Sequence, residues 1–373
     1  MLLERGFRIF FLAGALWAIL GAPLWMMQYA GLFPFVTQLN PHVWHGHAML
    51  SGYAGAIVAG FLLTAPGNWT GQRLLHGLPL AVLFSFWLAG RVLPLPPFVP
   101  AFAAFLADSI FFGFLALYLG RLLYRFRHYQ NLSFAFFLGL LALAQWVVYA
   151  GWQMPRGNSA GNAILLYSIL FIVFLLGGRV IPNFTKARFP EARVRIAGSV
   201  ETAVYATTAV AMLTSFLAIP DGIHVFLWSL AAIAHAFRWF GYFTWEVFKE
   251  PFLWILHLGY AWVVIGFLLQ AISYGGVELF HLARHALTVG GIGCITLGMM
   301  VRVTQGHTGL RVQATWPAPT VFGLICVSAL FRVVFPLLMP DPYVWALWLA
   351  VCTWSAAFLI FILIYGPLLF RSR

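Results

Sequence analysis

The sequence predicts an all-α integral membrane protein with twelve transmembrane helices, and three observations lead to this fold class. Of the 373 residues, 62% are hydrophobic and only 8% are charged, whereas a soluble domain carries charge on roughly a quarter of its positions. The apolar residues form runs of about 20, the length that a helix needs to cross the hydrocarbon core. The basic residues gather at the ends of these runs. We therefore expect a lipid bilayer as partner, and the net charge of +12 does not indicate a nucleic-acid-binding protein.

The apolar runs place all twelve helices in a single transmembrane domain that covers residues 1–373. The connections are short, and the longest polar stretch, from Thr185 to Arg195, is too small to form a domain of its own. The function must therefore reside in the helical bundle. The predicted spans lie near 7–30, 42–66, 77–95, 97–120, 131–150, 161–182, 199–219, 223–243, 251–274, 281–304, 317–338 and 343–368.

The distribution of lysine and arginine predicts the orientation of the bundle. If the N-terminus is cytoplasmic, 17 of the 21 basic residues lie at inward ends of spans and 4 at outward ends. Cytoplasmic ends carry such an excess, so we expect both termini in the cytoplasm. The four outward residues are Arg91, Arg156, Arg284 and Arg332.

The three cysteines exclude several classes of site. Cys294, Cys326 and Cys352 each lie inside an apolar run, and none is part of a CxxC motif or followed by histidine. These spacings exclude a disulfide scaffold, a zinc finger and a c-type haem attachment site.

Three of the spans echo one another in sequence. A shift of 238 residues places the second span on the tenth, with His47 on His285 and Gly60 on Gly298, and a shift of 115 places Asn162 of the sixth span on His47. Small residues recur in any membrane helix because they allow close packing. Histidine and asparagine are disfavoured in lipid, however, and they are among the matches. We therefore predict three pseudo-repeats of four helices.

Such an arrangement resembles the central subunit of haem-copper oxidases and of haem-containing nitric oxide reductases, in which the second, sixth and tenth helices carry metal ligands. This likeness concerns the fold and assigns no function by itself. His47 and His285 occupy equivalent positions, and each begins a stripe of small residues: Gly52, Ala56 and Gly60, and Gly290, Cys294 and Gly298. A flat macrocycle between two helices needs an axial imidazole from each and little bulk beneath. The pair therefore predicts a six-coordinate haem b near the outer face. The alternative is a pair of interfacial histidines bonded to loop carbonyls.

Other histidines predict a second centre. His45 precedes His47 by two residues, so on a helix the two rings point about 200° apart and cannot share a metal. We expect His45 to face a second haem or a copper ion. His285 and His307 are separated by 22 residues, about 33 Å along a helix, so they also belong to different sites.

The inward ends of the ninth and tenth spans bring His257 and His307 to a similar level, where they could bind a second cofactor. Arg302, and Arg179 from the sixth span, are candidates to neutralise haem propionates there. The alternative for both arginines is that they extend to the membrane surface.

Asp108 is the one acid that stands out inside a span. An ionisable group in the hydrocarbon core is costly and is usually functional or paired. We predict that Asp108 is a proton relay, with a structural hydrogen bond to a neighbouring helix as the alternative.

Several blocks of the sequence resemble the NnrS family, which are bacterial inner-membrane proteins that contain haem and copper and are linked to nitric oxide and nitrosative stress. The blocks are WHGHAML from Trp44, AGFLLTAPGNWTG, GGRVIPNFT from Gly177, LHLGYAW around His257, and HALTVGGIG leading to GHTG at His307. They occur along the whole chain in the order that the family shows. One departure is Ala48, where many members have glutamate after the second histidine.

The resemblance implies haem and copper binding and a role in nitric oxide metabolism as a reductase-like oxidoreductase, a sensor or a protective factor. Reduction would require an electron donor, for which the sequence shows no entry site. A different class, a transporter of a metal or haem-related cofactor, would use the histidines as successive binding stations and would have helices broken at the midplane. A third class is a non-catalytic protective or assembly factor.

Overall fold

The computed structural model describes residues 1–32, 40–95, 98–152, 160–195, 197–339 and 344–371, and the regular structure within these ranges is helical. We number the helices in chain order. They are α1 (Gly6–Tyr29), α2 (Pro41–Thr70), α3 (Leu78–Val92), α4 (Ala101–Arg125), α5 (Leu132–Trp152), α6 (Ala160–Arg188), α7 (Gly198–Thr214), α8 (Asp221–Tyr242), α9 (Pro251–Tyr274), α10 (Phe280–His307), α11 (Pro317–Leu338) and α12 (Val344–Leu369).

Ten helices in the described part of the chain are long and apolar enough to cross a membrane, so the chain fits a multi-pass membrane protein. The exceptions are α3 and α7, with 15 and 17 residues. At 1.5 Å per residue they reach about 23 and 26 Å, less than the thickness of about 30 Å that a hydrocarbon core presents. The structure therefore supports ten candidate spans, and twelve crossings are not confirmed. Arg156 lies outside the described residues.

Local sequence explains where several helices begin and end. Pro41, Pro251 and Pro317 stand in the first turns of α2, α9 and α11, where a residue without a backbone N–H leaves no hydrogen bond unmade. The Asn40 side chain accepts a hydrogen bond of 3.0 Å from the backbone N–H of His42 and caps α2. At the other end of α2, Gly71 adopts the left-handed conformation (φ 69°) that stops the helix.

The chain forms two compact units. Unit 1 comprises Met1–Ile172, Val303–Arg311 and Phe358–Arg373, and unit 2 comprises Val173–Arg302 and Val312–Ala357. In unit 1, α4 packs along α5 and α1 along α2; in unit 2, α8 packs along both α7 and α9, and α9 along α10. The prediction that residues 1–373 form a single domain remains a prediction.

Helices α2 and α10 share an unusual local structure at the positions that the sequence echo pairs. In α2 an α-helical segment ends at His47 and a π-helical segment covers Ala48–Ala54. In α10 an α-helical segment ends at His285 and a π-helical segment covers Ala286–Gly293. Single π-helical turns occur frequently at functional sites. The three-fold arrangement of four helices stays a prediction, but these two histidines have equivalent backbone surroundings.

The two stripes of small residues are filled by neighbouring helices. A Cβ atom added at Gly60 would lie 2.9 Å from the Phe11 ring of α1, and one added at Gly298 would lie 2.9 Å from the Ile255 side chain of α9. Gly52 and Gly290 are covered in the same way by the indoles of Trp17 and Trp262. The sequence predicts that these stripes leave space for a macrocycle. In each unit the space is used for close helix packing instead.

Candidate functional site

A cluster of buried polar side chains surrounds His47 in unit 1. We call it the His47 cluster; it consists of His47 and Ser51 on α2, Arg91 on α3, Asp108 on α4 and Gln145 on α5. Their exposed fractions are 2% for His47, 1% for Arg91 and 0% for the other three. Polar and charged side chains inside a membrane protein are costly unless they bind one another. Four helices therefore contribute to one enclosed polar site.

Hydrogen bonds fix the orientation of the His47 ring. Its Nε2 atom lies 3.0 Å from Oε1 of Gln145 and 3.0 Å from Oδ2 of Asp108. Both oxygens are acceptors, so Nε2 is the nitrogen that carries the proton. Gln145 is held in turn, because its Nε2 donates to the Ser51 hydroxyl (2.9 Å) and to the Leu141 carbonyl (3.2 Å).

Arg91 and Asp108 form an ion pair within the same cluster. Nη2 of Arg91 donates to Oδ2 of Asp108, the oxygen that also faces His47. The guanidinium charge compensates the carboxylate charge, as a buried pair requires. Nη1 of Arg91 and Oδ1 of Asp108 are buried and have no hydrogen-bond partner among the described residues. An acid, a histidine and a cation thus meet at one carboxylate oxygen, an arrangement that can hold and transfer a proton.

The structure brings together two of the predicted residues, His47 and Asp108, and adds three that were not predicted from the sequence: Ser51, Arg91 and Gln145. Arg91 was counted among the charges at outward ends, but its side chain is buried against Asp108. A signal for this pair exists in the sequence. Because α3 and α4 are consecutive, Arg91 near the end of one and Asp108 near the start of the next lie at a similar level. Gln145 has no such signal within its apolar run.

His285 has the hydrogen-bonding pattern of a ligand. Its Nδ1 lies 2.6 Å from the His281 carbonyl oxygen of the preceding turn. Since a carbonyl only accepts, Nδ1 carries the proton and Nε2 carries the lone pair. Metal-bound histidines commonly donate their other ring N–H to a backbone carbonyl in this way.

His257 is buried in unit 2, with 2% of its surface exposed. The Thr185 hydroxyl donates to the Ile181 carbonyl (2.8 Å) and therefore accepts from Nε2 of His257 (3.2 Å). The lone pair then lies on Nδ1, which has no hydrogen-bond partner in the described part of the chain. In unit 2, His257 and His285 therefore each have one protonated and one unprotonated ring nitrogen.

The remaining predicted residues have other contacts. The Arg302 guanidinium lies over the Phe184 ring, 3.7 Å from its centre. Arg179 is exposed. In unit 1, Nδ1 of His307 accepts a 3.1 Å hydrogen bond from Arg5, and the His45 ring stacks on Trp25 with 4.4 Å between ring centres. The predicted pairing of His257 with His307 stays a prediction. Among the described residues, no group of three or more histidine, cysteine, aspartate or glutamate side chains could hold a metal ion.

A second buried network in unit 2 was not expected. We call it the Arg238 cluster; it consists of Glu201 and Tyr205 on α7, Arg238 and Tyr242 on α8, and Tyr260 on α9. The Arg238 guanidinium, which is fully buried, binds both Glu201 oxygens at 2.7 and 2.5 Å, and it also donates to all three tyrosine hydroxyls at 3.0–3.1 Å. Every nitrogen of the guanidinium therefore has an acceptor.

His235, which the sequence analysis left without a role, extends this cluster into the core of unit 2. The Tyr260 hydroxyl lies 2.8 Å from Nδ1 of His235, and Nε2 of His235 lies 2.9 Å from the Thr208 hydroxyl. Both His235 and Thr208 are fully buried. The contacts of Arg238 with Tyr260 and of Tyr260 with His235 make one continuous hydrogen-bonded network.

Comparison with known proteins confirms the resemblance seen in the sequence. The family model described as NnrS protein matches residues 1–373, the whole chain. No curated protein is similar enough to count as a relative. The family is linked to nitric oxide responses. With its helical membrane architecture and a match along its entire length, this chain belongs to the NnrS family.

Proposed function

We propose that this protein is a haem-binding redox protein of the bacterial inner membrane that reduces or detoxifies nitric oxide, with protons supplied through the His47 cluster. One observation supports this proposal most strongly. Asp108, which is fully buried, lies within 3.0 Å of the Nε2 atom of His47 and is paired with Arg91. Buried ionisable groups in membrane proteins mark proton paths and functional sites.

The chemistry of nitric oxide reduction explains the need for such a site. Two molecules of nitric oxide, two electrons and two protons give one nitrous oxide and one water. A reaction inside a membrane cannot take its protons directly from bulk water. When Nδ1 of His47 takes up a second proton, the imidazolium can pass its Nε2 proton to the Asp108 carboxylate at 3.0 Å and become a neutral ring again. Arg91 keeps the carboxylate in place.

A histidine can bind haem iron or copper only through a ring nitrogen that carries no proton, and this decides which residues fit these cofactors. His285 and His257 fit, since hydrogen bonds assign their protons to one nitrogen and leave a lone pair on the other. His47 fits through Nδ1 and not through Nε2, because its Nε2 carries the proton that Asp108 and Gln145 accept. Haem b, with copper or a second haem as a further cofactor, would supply the electron transfer that the protein's own side chains do not. The reaction also requires an electron donor. We propose further that both termini of the chain are cytoplasmic.

The alternative of a transporter of metal or haem-related cofactors requires helices that are broken near the midplane. In α2 and α10 the α-helical segments before and after the π-helical segments follow one another without interruption, and the turn at Leu63–Thr64 lies near the end of α2 rather than at its middle. We therefore favour the redox proposal.

Substitution of Asp108 tests the proton role. In proteoliposomes supplied with a chemical reductant, we expect Asp108→Asn to lower the rate of nitric oxide consumption by roughly 100-fold, the usual contribution of a proton-transferring group. Asparagine keeps the size and one acceptor oxygen but cannot take up a proton. Asp221→Asn, at the exposed start of α8, is the matched control and should leave the rate unchanged. An unchanged rate in Asp108→Asn, in protein with normal cofactor content, would contradict the proton role.

Substitution of the two echoing histidines tests the haem assignment. The sequence echo predicts that His47→Ala and His285→Ala each abolish the same low-spin haem absorption in detergent-purified protein. The hydrogen bond from Nδ1 of His285 to the His281 carbonyl leaves Nε2 as the ligating nitrogen, so we expect His285→Ala to abolish the haem absorption whether or not His47 is a ligand. If His47→Ala retains the absorption and loses nitric oxide consumption, His47 acts as the proton partner rather than as a ligand. The control is His42→Ala, since His42 is exposed. If both His47→Ala and His285→Ala retain haem, these two histidines are not the axial ligands.

A further inference from the structure

Two of the three cysteines contact each other between α10 and α11. The Sγ atoms of Cys294 and Cys326 are 4.0 Å apart. Cys294 is fully buried and Cys326 is half-buried, while Cys352 on α12 is exposed. Both members of the pair lie near the middle of their helices, far in sequence from the polar clusters described above.

Local structure directs Cys294 toward this contact. The π-helical segment Ala286–Gly293 ends at the residue before Cys294, and the wider turn of a π-helix changes which face of the following helix carries a given side chain. Helix α9 packs closely behind it, because a Cβ atom added at Gly259 would lie 3.1 Å from the Cβ atom of Cys294. The Cys294 side chain therefore has little room to move away.

We propose that Cys294 and Cys326 form a thiol modification site, which nitrosating agents derived from nitric oxide convert into a disulfide. The proposal rests on the proposed function only for the source of the nitrogen oxide. In a disulfide the two sulfur atoms are about 2.0 Å apart. The present distance of 4.0 Å can be closed by rotation of the two side chains about their Cα–Cβ bonds. Uncharged nitrogen oxides can enter a hydrocarbon region that excludes ions.

The reaction has two balanced steps. Dinitrogen trioxide, formed from nitric oxide and oxygen, transfers NO⁺ to the Cys326 thiol, and the thiol proton leaves with nitrite as nitrous acid. The Cys294 sulfur then attacks the nitrosated sulfur of Cys326. The S–S bond forms, the S–N bond breaks, and the Cys294 proton leaves with the nitrogen as nitroxyl, HNO. The two sulfurs lose two electrons in total, and the nitrogen gains two. Cys326, which is the more accessible of the two, is the residue modified first.

Thiol counting and peptide mass mapping of the purified full-length protein test this site. One sample receives a nitric oxide donor in air, and a second receives diamide, which oxidises thiol pairs without nitrogen oxides. We expect diamide to remove two of the three thiols, and both treatments to link the peptides that contain Cys294 and Cys326. With the nitric oxide donor the exposed Cys352 thiol also becomes nitrosated, but it forms no link. Cys352→Ser is the matched control and should form the same link.

Single substitutions separate the two steps. In Cys294→Ser the nitric oxide donor should leave an S-nitroso group on Cys326, because the resolving thiol is missing. If the wild-type protein retains all three thiols with diamide, or links Cys352 instead, the pair is not a modification site. If diamide forms the link and the nitric oxide donor does not, the nitrosation step is wrong. Because the nitrogen oxide is supplied chemically, failure of the Asp108→Asn and haem experiments would reject the proposed function without changing this result.

Discussion

Replacement of Arg91 by methionine is expected to lower the free energy of unfolding by about 3–5 kcal/mol, the usual cost of removing one partner from a buried ion pair. Arg91 and Asp108 are 1% and 0% exposed. Without the guanidinium, the Asp108 carboxylate would remain in a site that water does not reach. Its remaining described contact is with Nε2 of His47. The measurement is a denaturant titration of the purified protein in detergent, which gives the free energy of unfolding.

A double variant distinguishes loss of charge from loss of packing. Arg91→Met combined with Asp108→Leu removes both charges, and apolar replacements of a buried pair are often neutral or stabilising. We therefore expect the double variant to regain most of the lost stability. The Arg91 side chain also lies over the Trp87 ring, with 5.7 Å between its Cζ atom and the ring centre. A double variant as unstable as Arg91→Met would show that this packing, and not the ion pair, is what the single substitution removed. Arg121→Met on the exposed face of α4 is the control, with an expected change within about 0.5 kcal/mol.

The positions of the helices are predictable from the sequence because the apolar runs are long. A run of about 20 apolar residues has few alternatives to a helix in a membrane, since its backbone groups must bond to one another. Ten of the predicted spans coincide with helices of the described ranges that are long and apolar enough to cross a membrane. The lengths of α3 and α7 were overestimated, because hydropathy also counts the apolar residues that follow Val92 and Thr214.

The candidate site was only partly predictable, for a physical reason. His47 and Asp108 stand out because lipid disfavours their side chains. Arg91 and Arg238 do not stand out, because each lies near the end of a helix, where arginine is ordinarily explained by the membrane surface. Their partners reveal them: Asp108 and Glu201 lie near the adjoining ends of the neighbouring helices. Charges of opposite sign at the same level of consecutive antiparallel helices are therefore a better signal than the count of charges at each end.

The haem prediction shows what an echo between helices can and cannot indicate. His47 and His285 do share the same backbone arrangement, each before a π-helical segment. Their ring nitrogens differ, however, because Nε2 of His47 is a donor to side chains whereas Nδ1 of His285 is a donor to its own helix. Equivalent positions in a repeat therefore do not guarantee equivalent chemistry, and the hydrogen bonds of each ring depend on residues outside the repeat motif.

Replacement of Arg238 by leucine is expected to cost about 3–5 kcal/mol of unfolding free energy. The guanidinium is fully buried and binds one carboxylate and three tyrosine hydroxyls. Leucine would leave these four groups without their common donor. Glu201, which is 23% exposed, can recover some hydration, so the lower part of this range is expected. The measurement is again denaturant titration in detergent.

Arg238→Lys separates the charge of this side chain from its shape. Lysine keeps the positive charge, but its donors all lie on one atom, whereas the planar guanidinium places five N–H groups in fixed directions. At Arg238 those directions are matched to Glu201 on one side and to Tyr260 on another. We therefore expect Arg238→Lys to recover less than half of the stability that Arg238→Leu loses. Tyr205→Phe, which removes the 3.1 Å hydrogen bond from Arg238 and a 3.4 Å hydrogen bond to the Phe174 carbonyl, should cost only about 1–2 kcal/mol.

A substitution on another helix provides an independent check. Gly178 of α6 lies against the Arg238 guanidinium, and a Cβ atom added there would collide with Nη2. Gly178→Ala should therefore displace the guanidinium from Glu201 and Tyr205 and destabilise the protein in the same direction as Arg238→Leu. In the background of Arg238→Leu, the same Gly178→Ala substitution should cost much less, because the colliding group is gone. If the two losses simply add, the geometry of the guanidinium is not what stabilises these helices, and the network would be a consequence of their packing rather than its cause.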